Sequence, residues 1–388
     1  MSKILLGMSG GIDSSVAAWI LKRDAHEVVG VTLRFHGSPQ RDAAIERAQS
    51  CAAMLGIEHH VIDLRDEFAR MVKDYTTREF EEGRFPNPCT VCTRDLKMAT
   101  LFEQAQAFGC EQVATGHYAR VTEDVNGFQL LPYQLRKPLD LSKDQTYLLY
   151  ALSQEQLARL VFPLADLYKG VVRRMAMRAG LMRVAPVNDG QGEPCFYDDE
   201  GFVTWLEGEG GLERDTGDIV YLGDNSVLGT YEGQYRFAPD QSLGTFAIAH
   251  EVNGEDGAAS DETDGQGICL IEDQMRQMPC PSVSSDEELF VVFKDVASHR
   301  VYAATRAVAG AEMCLLRDMR WTSIEPPQAK RSCRTRIAHD RKPVPAQVVC
   351  SEDGVVVAFG ERVGGVRAGQ PVVLYSDDLV LGGGIVTG

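Results

Sequence analysis

The 388-residue chain lacks any run of eighteen apolar residues, so the sequence predicts no helix that could cross a membrane. Its first apolar segment begins at residue 4, which leaves no room for a signal peptide, and we expect a cytoplasmic protein. An excess of positive charge is also absent. The net charge of −17 argues against a generally basic, nucleic-acid-coated surface, although it is compatible with a local basic patch.

The ten cysteines are not expected to form structural disulfides, because the cytoplasm keeps thiols reduced. Cysteines that cluster are then better explained by catalysis or by metal binding. The chain is longer than one typical domain and suits two or three, each with a core of its own.

The first fifteen residues predict a nucleotide-binding turn. Residues 4–8 predict a buried strand, Gly10 and Gly11 allow a sharp turn, and a helical pattern starts near Asp13. Such a turn points backbone amides and the positive end of a helix at one place, where phosphate oxygens can bind. The alternative is a tight strand-to-helix turn without a ligand.

The turn lacks the lysine of the G-x-x-x-x-G-K-[ST] phosphate loop, which excludes that class of nucleotide-binding protein. Its own pattern, Ser9-Gly10-Gly11-x-Asp13-Ser14, resembles the pyrophosphate loop of the ATP-pyrophosphatase superfamily. That resemblance implies cleavage of ATP between its α and β phosphates, with transfer of AMP to a carbonyl oxygen.

The following segments predict alternating strands and helices. Strands are expected at 28–35, 59–64 and 112–118, and a helix at 42–55. Alternation of this kind indicates parallel βαβ units, whose ligands bind at the carboxyl ends of the strands. Leu33, Gly116 and His117 lie near such ends, but core packing explains Leu33 equally well, and an edge histidine is more often hydrogen bonded than catalytic.

Two cysteines follow a proline-rich break in this pattern. Two prolines flank Asn87, so Cys89 and Cys92 are predicted on an exposed loop. A helical pattern resumes after Cys92, and a helix amino terminus lowers the pKa of a thiol and favours the thiolate. A lone C-x-x-C is equally compatible with a redox pair, half a zinc site, cluster ligands or two unreactive surface thiols.

Five motifs occur in a fixed order along the chain. They are S-G-G-x-D-S from Ser9, N-P-x-x-x-C from Asn87, A-T-G-H-Y ending at Tyr118, S-K-D-Q-x-Y from Ser142, and Cys195-Phe196. Their series resembles the bacterial tRNA-specific 2-thiouridylases, also called tRNA-uridine 2-sulfurtransferases. Residues 320–327, 334–336, 368–375 and 381–385 resemble the carboxyl-terminal β-barrel of that family.

The resemblance implies an α/β protein in three parts. These are a doubly wound parallel sheet of the adenine-nucleotide α-hydrolase type with a helical segment at 1–206, a small central β domain at 207–289, and a tRNA-binding β-barrel at 290–388. The implied reaction replaces oxygen with sulfur at carbon 2 of the wobble uridine of certain tRNAs. ATP adenylates the uracil oxygen, and a sulfur nucleophile then displaces it as AMP. The implied partners are tRNA and a sulfur-donor protein, either a desulfurase or a sulfur carrier.

The resemblance also implies roles for individual residues. Cys92 matches the nucleophile and Cys195 the persulfide carrier, so these two must approach each other. Asp13 is the expected Mg²⁺ ligand, because carboxylate oxygens suit that ion beside phosphates. ATP binding is implied for Gly7, Met8, Ser9, Gly10, Gly11, Ile12, Asp13, Ser14, Leu33 and Gly116. Contact with the target base or the rest of the tRNA is implied for Asn87, Pro88, Cys89, His117, Lys143, Asp144, Gln145, Arg336 and Gln370.

One departure from the family pattern leaves the sulfur chemistry open. Position 89 is Cys where the family most often has Asp, so Cys89, Cys92 and Cys195 form a set of three thiols. Three cysteines can hold a 4Fe-4S cluster whose open iron carries sulfide, as in related archaeal-type thiolation enzymes. A cluster-bound sulfide and a cysteine persulfide are therefore both hypotheses.

Two further departures concern loops. Residues 192–194 are Gly-Glu-Pro where the family usually has a glycine and an isoleucine, and the proline predicts a stiffer loop before Cys195. The family loop G-Q-R-K-G-L-G is missing, and the nearest stretch, 237–244, lacks its basic pair. Residues 251–288 contain eleven acidic residues and one arginine, which predicts a solvated insertion or a mobile hairpin.

Residues 330–342 are the strongest basic segment, with six basic residues and one acidic residue. Arg334 and Arg336 alternate along a predicted strand and would share a face, so this segment is a candidate tRNA contact. A helix that contains Arg173, Arg174 and Arg178 is a second candidate. The alternative is an exposed basic strand without a nucleic-acid partner.

Two other functions remain open. An ammonia-using ligase or amidase of the same superfamily would also adenylate a carbonyl, but the chain shows no glutaminase domain or other ammonia source and the cysteines would have no role. A catalytically degenerate tRNA-binding protein would retain the fold, and its two altered loops would explain a loss of turnover.

Overall fold

A computed structural model describes residues 1–123, 130–183, 195–197, 201–245, 288–338, 341–352 and 354–387. The acidic stretch up to residue 287 and the segment 192–194 lie outside these residues. Within the part described, no helix is both long and apolar enough to span a bilayer.

The elements alternate in the first half of the chain and are strands in the second. The strands are β1 Lys3–Gly7, β2 Glu27–Arg34, β3 Glu58–Asp63, β4 Gln112–Thr115, β5 Arg120–Glu123, β6 Tyr133–Arg136, β7 Leu160–Val161, β8 Thr216–Tyr221, β9 Val227–Glu232, β10 Ser242–Thr245, β11 Glu288–Asp295, β12 Arg300–Thr305, β13 Ala311–Trp321, β14 Arg331–Arg336, β15 Val344–Ser351, β16 Gly354–Val363, β17 Pro371–Ser376 and β18 Leu379–Val386. The α-helices are α1 Ile12–Arg23, α2 Pro39–Leu55, α3 Arg65–Phe68, α4 Asp74–Glu81, α5 Pro88–Val91, α6 Ala99–Ala107, α7 Thr146–Leu149, α8 Gln154–Arg159, α9 Lys169–Arg178 and α10 Phe202–Glu207.

Two of the helices are interrupted by π-helical turns. Ala69–Lys73 joins α3 to α4, and Cys92–Met98 joins α5 to α6. Short 3-10 turns occur at Leu141–Lys143, Leu181–Arg183 and Gln234–Arg236. The second π turn carries the predicted nucleophile. π turns are rare in proteins, and they often occur at functional sites.

The amino-terminal sheet is parallel and has the strand order β3-β2-β1-β4-β7. Its central strand β1 is buried on both faces: Ile4 and Leu6 pack into one apolar core with α1 and α9, and Leu5 into the other with α6. This explains why the strand is apolar at successive positions. The order reverses between β1 and β4, and a crevice at such a reversal is where ligands bind in doubly wound sheets.

The carboxyl-terminal strands form a closed barrel. Strands β13-β16-β15-β14-β17-β18 are neighbours in that order, and β13 also pairs with β18. The predicted fold class, a doubly wound sheet followed by a small β domain and a barrel, is therefore confirmed.

The division at residues 206 and 289 stays a prediction, and the hydrogen-bonded sheets extend across it. The hairpin β5–β6 comes from the amino-terminal part but joins the barrel sheet, where Arg136 pairs with Leu379 of β18. The central sheet has the order β10-β11-β12-β8-β9, so β11 and β12, which span most of residues 288–305, pair with it rather than with the barrel.

Candidate active site

The turn after β1 is held by serine hydroxyls and by a glycine in a left-handed conformation. Gly10 has φ +75°, and a Cβ there would lie 2.0 Å from the Ala44 carbonyl oxygen of α2. The Ser9 amide donates to Ser14 Oγ at 3.1 Å, and the Ser15 hydroxyl donates to the Gly11 carbonyl at 2.9 Å. The backbone path is thus set by contacts that only this local sequence allows.

The end of β4 packs directly against this turn. A Cβ at Gly116 would lie 2.8 Å from the Ser14 amide nitrogen, so only glycine permits the approach. The two sides of the predicted ATP crevice, after β1 and after β4, are therefore adjacent. Leu33 is 9% exposed and belongs to the hydrophobic core, which matches the core-packing interpretation of that residue.

A lysine from α9 is bound to the carboxylate of Asp13. Lys169 Nζ donates to both carboxylate oxygens, at 2.6 and 2.8 Å, and the Tyr118 hydroxyl donates to Oδ1 at 3.0 Å. The ammonium is nearly buried, with 9% of the side chain exposed. A cation therefore already lies next to the predicted Mg²⁺ ligand and would share the Asp13 carboxylate with Mg²⁺ or move from it.

The segment that carries the first two cysteines is helical. Asn87 caps the helix, since its side-chain oxygen accepts from the amides of Cys89 at 3.0 Å and Thr90 at 3.3 Å, and Pro88 occupies the first helical position. The prediction of an exposed loop is therefore wrong. The prolines and asparagine that indicated a break act here as helix-start residues.

Burial also reverses the predicted pKa of the nucleophile. Cys92 is 7% exposed, and its burial raises the thiol pKa to about 12. Burial also raises the pKa of the Cys89 thiol, to about 11. The cation of Lys97 opposes both shifts. A helix dipole acts over the first turn only, and Cys92 lies beyond it, so desolvation prevails.

Cys195 lies within electrostatic range of both of these thiols although it is about a hundred residues away in the chain. It is exposed, and its charge adds a smaller upward effect to the pKa values of Cys89 and Cys92. The adjacent Phe196 ring packs against Trp205 at 4.6 Å and Phe68 at 5.7 Å, which ties this short segment to the core. The approach of the three thiols to one another stays a prediction.

Three cysteines near one another raise the question of a cluster. Among the described residues, no group of three or more His, Cys, Asp or Glu side chains is arranged to hold a metal ion. All three thiols are free. The arrangement described does not fit a preformed iron–sulfur site.

Several predicted tRNA contacts have partners inside the protein. Asp144 accepts from the Thr146 hydroxyl at 2.6 Å and forms an ion pair with Arg336 at 3.1 Å. Gln145 Oε1 accepts from the Tyr118 amide at 2.9 Å. These groups join α7 to β14 and to the end of β4, so their present contacts are structural.

The remaining predicted contacts differ in environment. His117 shares a hydrogen bond of 2.8 Å with Thr115 Oγ1, and burial, with a smaller effect of Lys97, lowers the pKa of His117 to about 3. Gln370 Oε1 is buried and has no hydrogen-bond partner among the described residues. Lys143 is half-buried at the start of the segment before α7. An amide oxygen without a partner and a neutral imidazole are both suited to recognising a polar ligand.

Comparisons with known proteins agree with these features. A family model described as the tRNA methyl transferase HUP domain matches residues 2–199, and one described as the aminomethyltransferase beta-barrel domain matches residues 311–386. The tRNA-specific 2-thiouridylase MnmA of Pelobacter propionicus is 35% identical over 99% of this chain and 97% of its own length. That of Rippkaea orientalis is 33% identical over 100% of this chain and 99% of its own.

This chain belongs to the tRNA-specific 2-thiouridylase family. Among solved structures, the U34-tRNA thiolase NcsA from Methanococcus maripaludis with its 4Fe-4S cluster is 19% identical, with a TM-score of 0.32, over 51% of this chain and 60% of that one. A 4-thiouridine synthetase in complex with RNA and ATP is 18% identical, with a TM-score of 0.33, over 48% and 43%. Scores this low add nothing to the family assignment.

The stretch that replaces the basic loop of the 2-thiouridylase family forms ion pairs. Asp240 pairs with Arg306 and, at 3.4 Å, with Arg341 of the basic segment. Arg334 lies exposed on β14, on the same face as Arg336, as predicted. An arginine of the candidate tRNA-contact segment is thus bound to an acid where the family has basic residues.

Two lysines of the site were not predicted from the sequence. Lys169 is the first residue of α9, where the helix dipole disfavours a cation. This unfavourable position was the one feature of the sequence that could have indicated its role. Lys97 is half-buried and acts electrostatically on Cys89, Cys92 and His117. Five residues apart in an α-helix, Cys92 and Lys97 would not share a face, but the i to i+5 bonding of the π turn aligns them.

Proposed function

We propose that this protein is a tRNA-uridine 2-sulfurtransferase that uses ATP to thiolate carbon 2 of the wobble uridine of tRNA. The observation that carries the proposal is the 35% identity to a tRNA-specific 2-thiouridylase over 99% of the chain, and the electrostatic effect of Cys195 on Cys89 and Cys92 supports it. Lys97 links the two halves of the site, because it acts on both thiols and on His117, which follows Gly116 at that turn. Adenylation and sulfur transfer then take place at neighbouring positions.

ATP binds in this proposal at the turn after β1, with the residues from Gly7 to Ser14 around its phosphates. Asp13 would hold Mg²⁺, which would supply positive charge to neutralise the phosphates. Lys169, released from Asp13, contacts the β and γ phosphates and supplies the lysine that the turn itself lacks. The adenine lies near Leu33 and Gly116. The ion pair supports this arrangement because it places one acceptor and one donor for Mg-ATP side by side.

Sulfur transfer proceeds in this proposal through a persulfide. The terminal sulfur of a Cys195 persulfide attacks carbon 2 of the adenylated uridine, and AMP leaves with the former uracil oxygen and its electron pair. The Cys92 thiolate then attacks Cys195 Sγ. The sulfur–sulfur bond breaks toward the base, which gives 2-thiouridine and a Cys92–Cys195 disulfide for a cellular thiol to reduce.

The exposed position of Cys195 supports this route, because a sulfur-donor protein must reach it to load the persulfide. We derive no step through an iron–sulfur cluster, since the described thiols do not form a metal-holding group. Iron and sulfide analysis after anaerobic purification tests the alternative. Iron-free protein with full activity supports the persulfide, and activity that follows iron content supports the cluster.

tRNA binds in this proposal along the barrel and the edge of the nucleotide crevice. The target base lies near Asn87, Pro88 and Cys89, and the tRNA also contacts His117, Lys143, Asp144, Gln145, Arg336 and Gln370. Reaching Asp144 and Arg336 requires the tRNA to compete with their ion pair. The exposed Arg334 needs no such exchange and is the more accessible cation of β14.

The decisive experiment is mass analysis of nucleosides from tRNA incubated with the protein, ATP, Mg²⁺ and a sulfur source. We expect 2-thiouridine only when all components are present, together with AMP and pyrophosphate. Ammonia-dependent product without thiouridine would favour the ligase, and tRNA binding without pyrophosphate release would favour the degenerate binding protein.

A further inference from the structure

Phe85 lies where the three parts of the molecule meet. Its amide donates to the carbonyl of Ala368 in the barrel at 2.7 Å. Its ring packs edge-on against Phe80 of α4, with centroids 5.4 Å apart. Lys294 of the central sheet places its ammonium 4.1 Å from the ring centroid, and the guanidinium carbon of Arg367 in the barrel lies 5.4 Å from it. Phe85 is therefore held by contacts from the barrel, the central sheet and helix α4.

The contact from the central sheet is partly buried. Lys294 Nζ donates to the Gln234 carbonyl at 3.2 Å, and the Gln234 side-chain amide donates to the Phe80 carbonyl at 3.0 Å. Desolvation lowers the pKa of Lys294 to about 7. The charge of Asp215 opposes this shift, so the environment of Lys294 includes that carboxylate as well as the ring of Phe85.

The barrel contributes a second attachment next to Phe85. Arg84 donates to both carboxylate oxygens of the buried Glu79, at 2.7 and 2.8 Å, and Arg317 of β13 lies 3.7 Å from the same carboxylate. The residue pair Arg84 and Phe85 is thus bound by side chain and backbone to the barrel as well as to α4.

These contacts lie just before the helical segment that carries Cys89 and Cys92, here called the thiol helix. Only Pro86 separates Phe85 from Asn87, whose side chain caps the helix at Cys89. On the barrel side, Ala368 lies two residues before Gln370, a proposed tRNA contact. A displacement of the barrel segment at Ala368 would therefore displace Phe85 and, two residues later, Asn87 at the start of the helix that carries Cys89 and Cys92.

We propose that Phe85 is a positioning residue, through which the barrel and the central sheet set the position of Asn87 and the thiol helix against the target base. The inference rests on the proposed function for its substrate. Phe85 itself does not contact the reacting atoms. Its role is to couple tRNA held on the barrel to the site of sulfur transfer.

The chain offers a matched control for a test. Phe102 on α6 also has a cation over its ring, with Arg159 Cζ at 5.6 Å, but it lies away from the barrel contact. Phe85→Leu and Phe102→Leu remove the same atoms, and Lys294→Met and Arg159→Met remove the two cations. Each variant is compared with wild type for ATP affinity, for kcat and KM with tRNA, and for amide hydrogen exchange at residues 85–92.

We expect Phe85→Leu and Lys294→Met to lower kcat for thiolation about tenfold, as for loss of a desolvated cation–ring contact, and to speed exchange at 85–92. Their ATP affinity should stay within about twofold of wild type, and the control pair should match wild type throughout. Faster exchange with unchanged kcat, or parallel loss of ATP affinity in both variants, would overturn the positioning role. A wild-type protein that makes no thiouridine would instead refute the proposed function, and the exchange data would still report on the contact.

Discussion

The nucleotide turn and the thiol helix are built in different ways. The turn after β1 is made within seven residues: Gly10 takes the left-handed conformation, and the hydroxyls of Ser14 and Ser15 bond to backbone groups nearby. The thiol site joins Cys89 and Cys92 to Cys195, and its electrostatics depend on burial by distant segments. The geometry of the turn follows from its own short segment, whereas the burial that raises the thiol pKa values comes from segments far away in the chain and is not visible in the local pattern.

The largest effect expected is on the thiol side. Cys92→Ser should lower thiouridine formation by about four orders of magnitude, because serine is a far weaker nucleophile toward a persulfide, while tRNA-dependent pyrophosphate release continues. Cys314→Ser is the matched control, since Cys314 is also 7% exposed and its pKa is also raised to about 12 by burial. The two products are measured in the same reaction. Equal loss of both products in Cys92→Ser would contradict the assignment of Cys92 to sulfur transfer alone.

Alkylation of the thiols separates burial from helix position as the cause of Cys92 reactivity. The thiolate is the reactive form, and a pKa raised to about 12 makes the thiolate fraction of Cys92 in the free protein at pH 8 about a thousandfold smaller than that of an ordinary thiol, so we expect slow alkylation. Because the pKa is raised, its rate should keep increasing through pH 10. Mass spectrometry of peptides after iodoacetamide treatment measures it, with the exposed Cys195 labelled first. A rate that levels off near pH 7 would restore the original prediction of a lowered pKa.

On the nucleotide side, adding one methyl group at Gly10 should disrupt the turn after β1. Gly10→Ala places a Cβ 2.0 Å from the Ala44 carbonyl oxygen at a φ of +75°, so we expect about a hundredfold weaker ATP binding by calorimetry. Gly37→Ala is the control, because no atom lies within 4 Å of its added Cβ. Similar ATP affinities in the two variants would show that the path of the turn is not critical.

The smallest expected effect tests whether Lys169 supplies the lysine that the turn after β1 lacks. Lys169→Met should weaken ATP about tenfold and leave AMP unchanged, because the ammonium is proposed to contact only the phosphates that AMP does not have. Lys22→Met, on the last turn of α1, is the comparison variant. Equal losses for ATP and AMP would mean that Lys169 only supports the fold through Asp13.

Burial explains the two predictions that were wrong. Local pattern correctly indicated strands near β1, β2, β3 and β4, the helix that ends at Gly56, and the alternation that places Arg334 and Arg336 on one face. The local pattern failed at Cys92. The residues that were predicted to form a loop instead form the capped start of a helix, and burial in the core desolvates the thiol. Proline and asparagine are compatible with both structures, and only packing selects between them.

By itself, the sequence determined the doubly wound sheet, the glycine turn and the order of the family motifs, because strand and helix periodicity and glycine geometry are properties of neighbouring residues. Tertiary structure alone decided that Lys169 binds Asp13, that burial raises the pKa of Cys92, and that Phe85 contacts the barrel, the central sheet and α4. These contacts join residues that are far apart in the chain. Their energies come from desolvation and from the approach of charges, which exist only once the chain has folded.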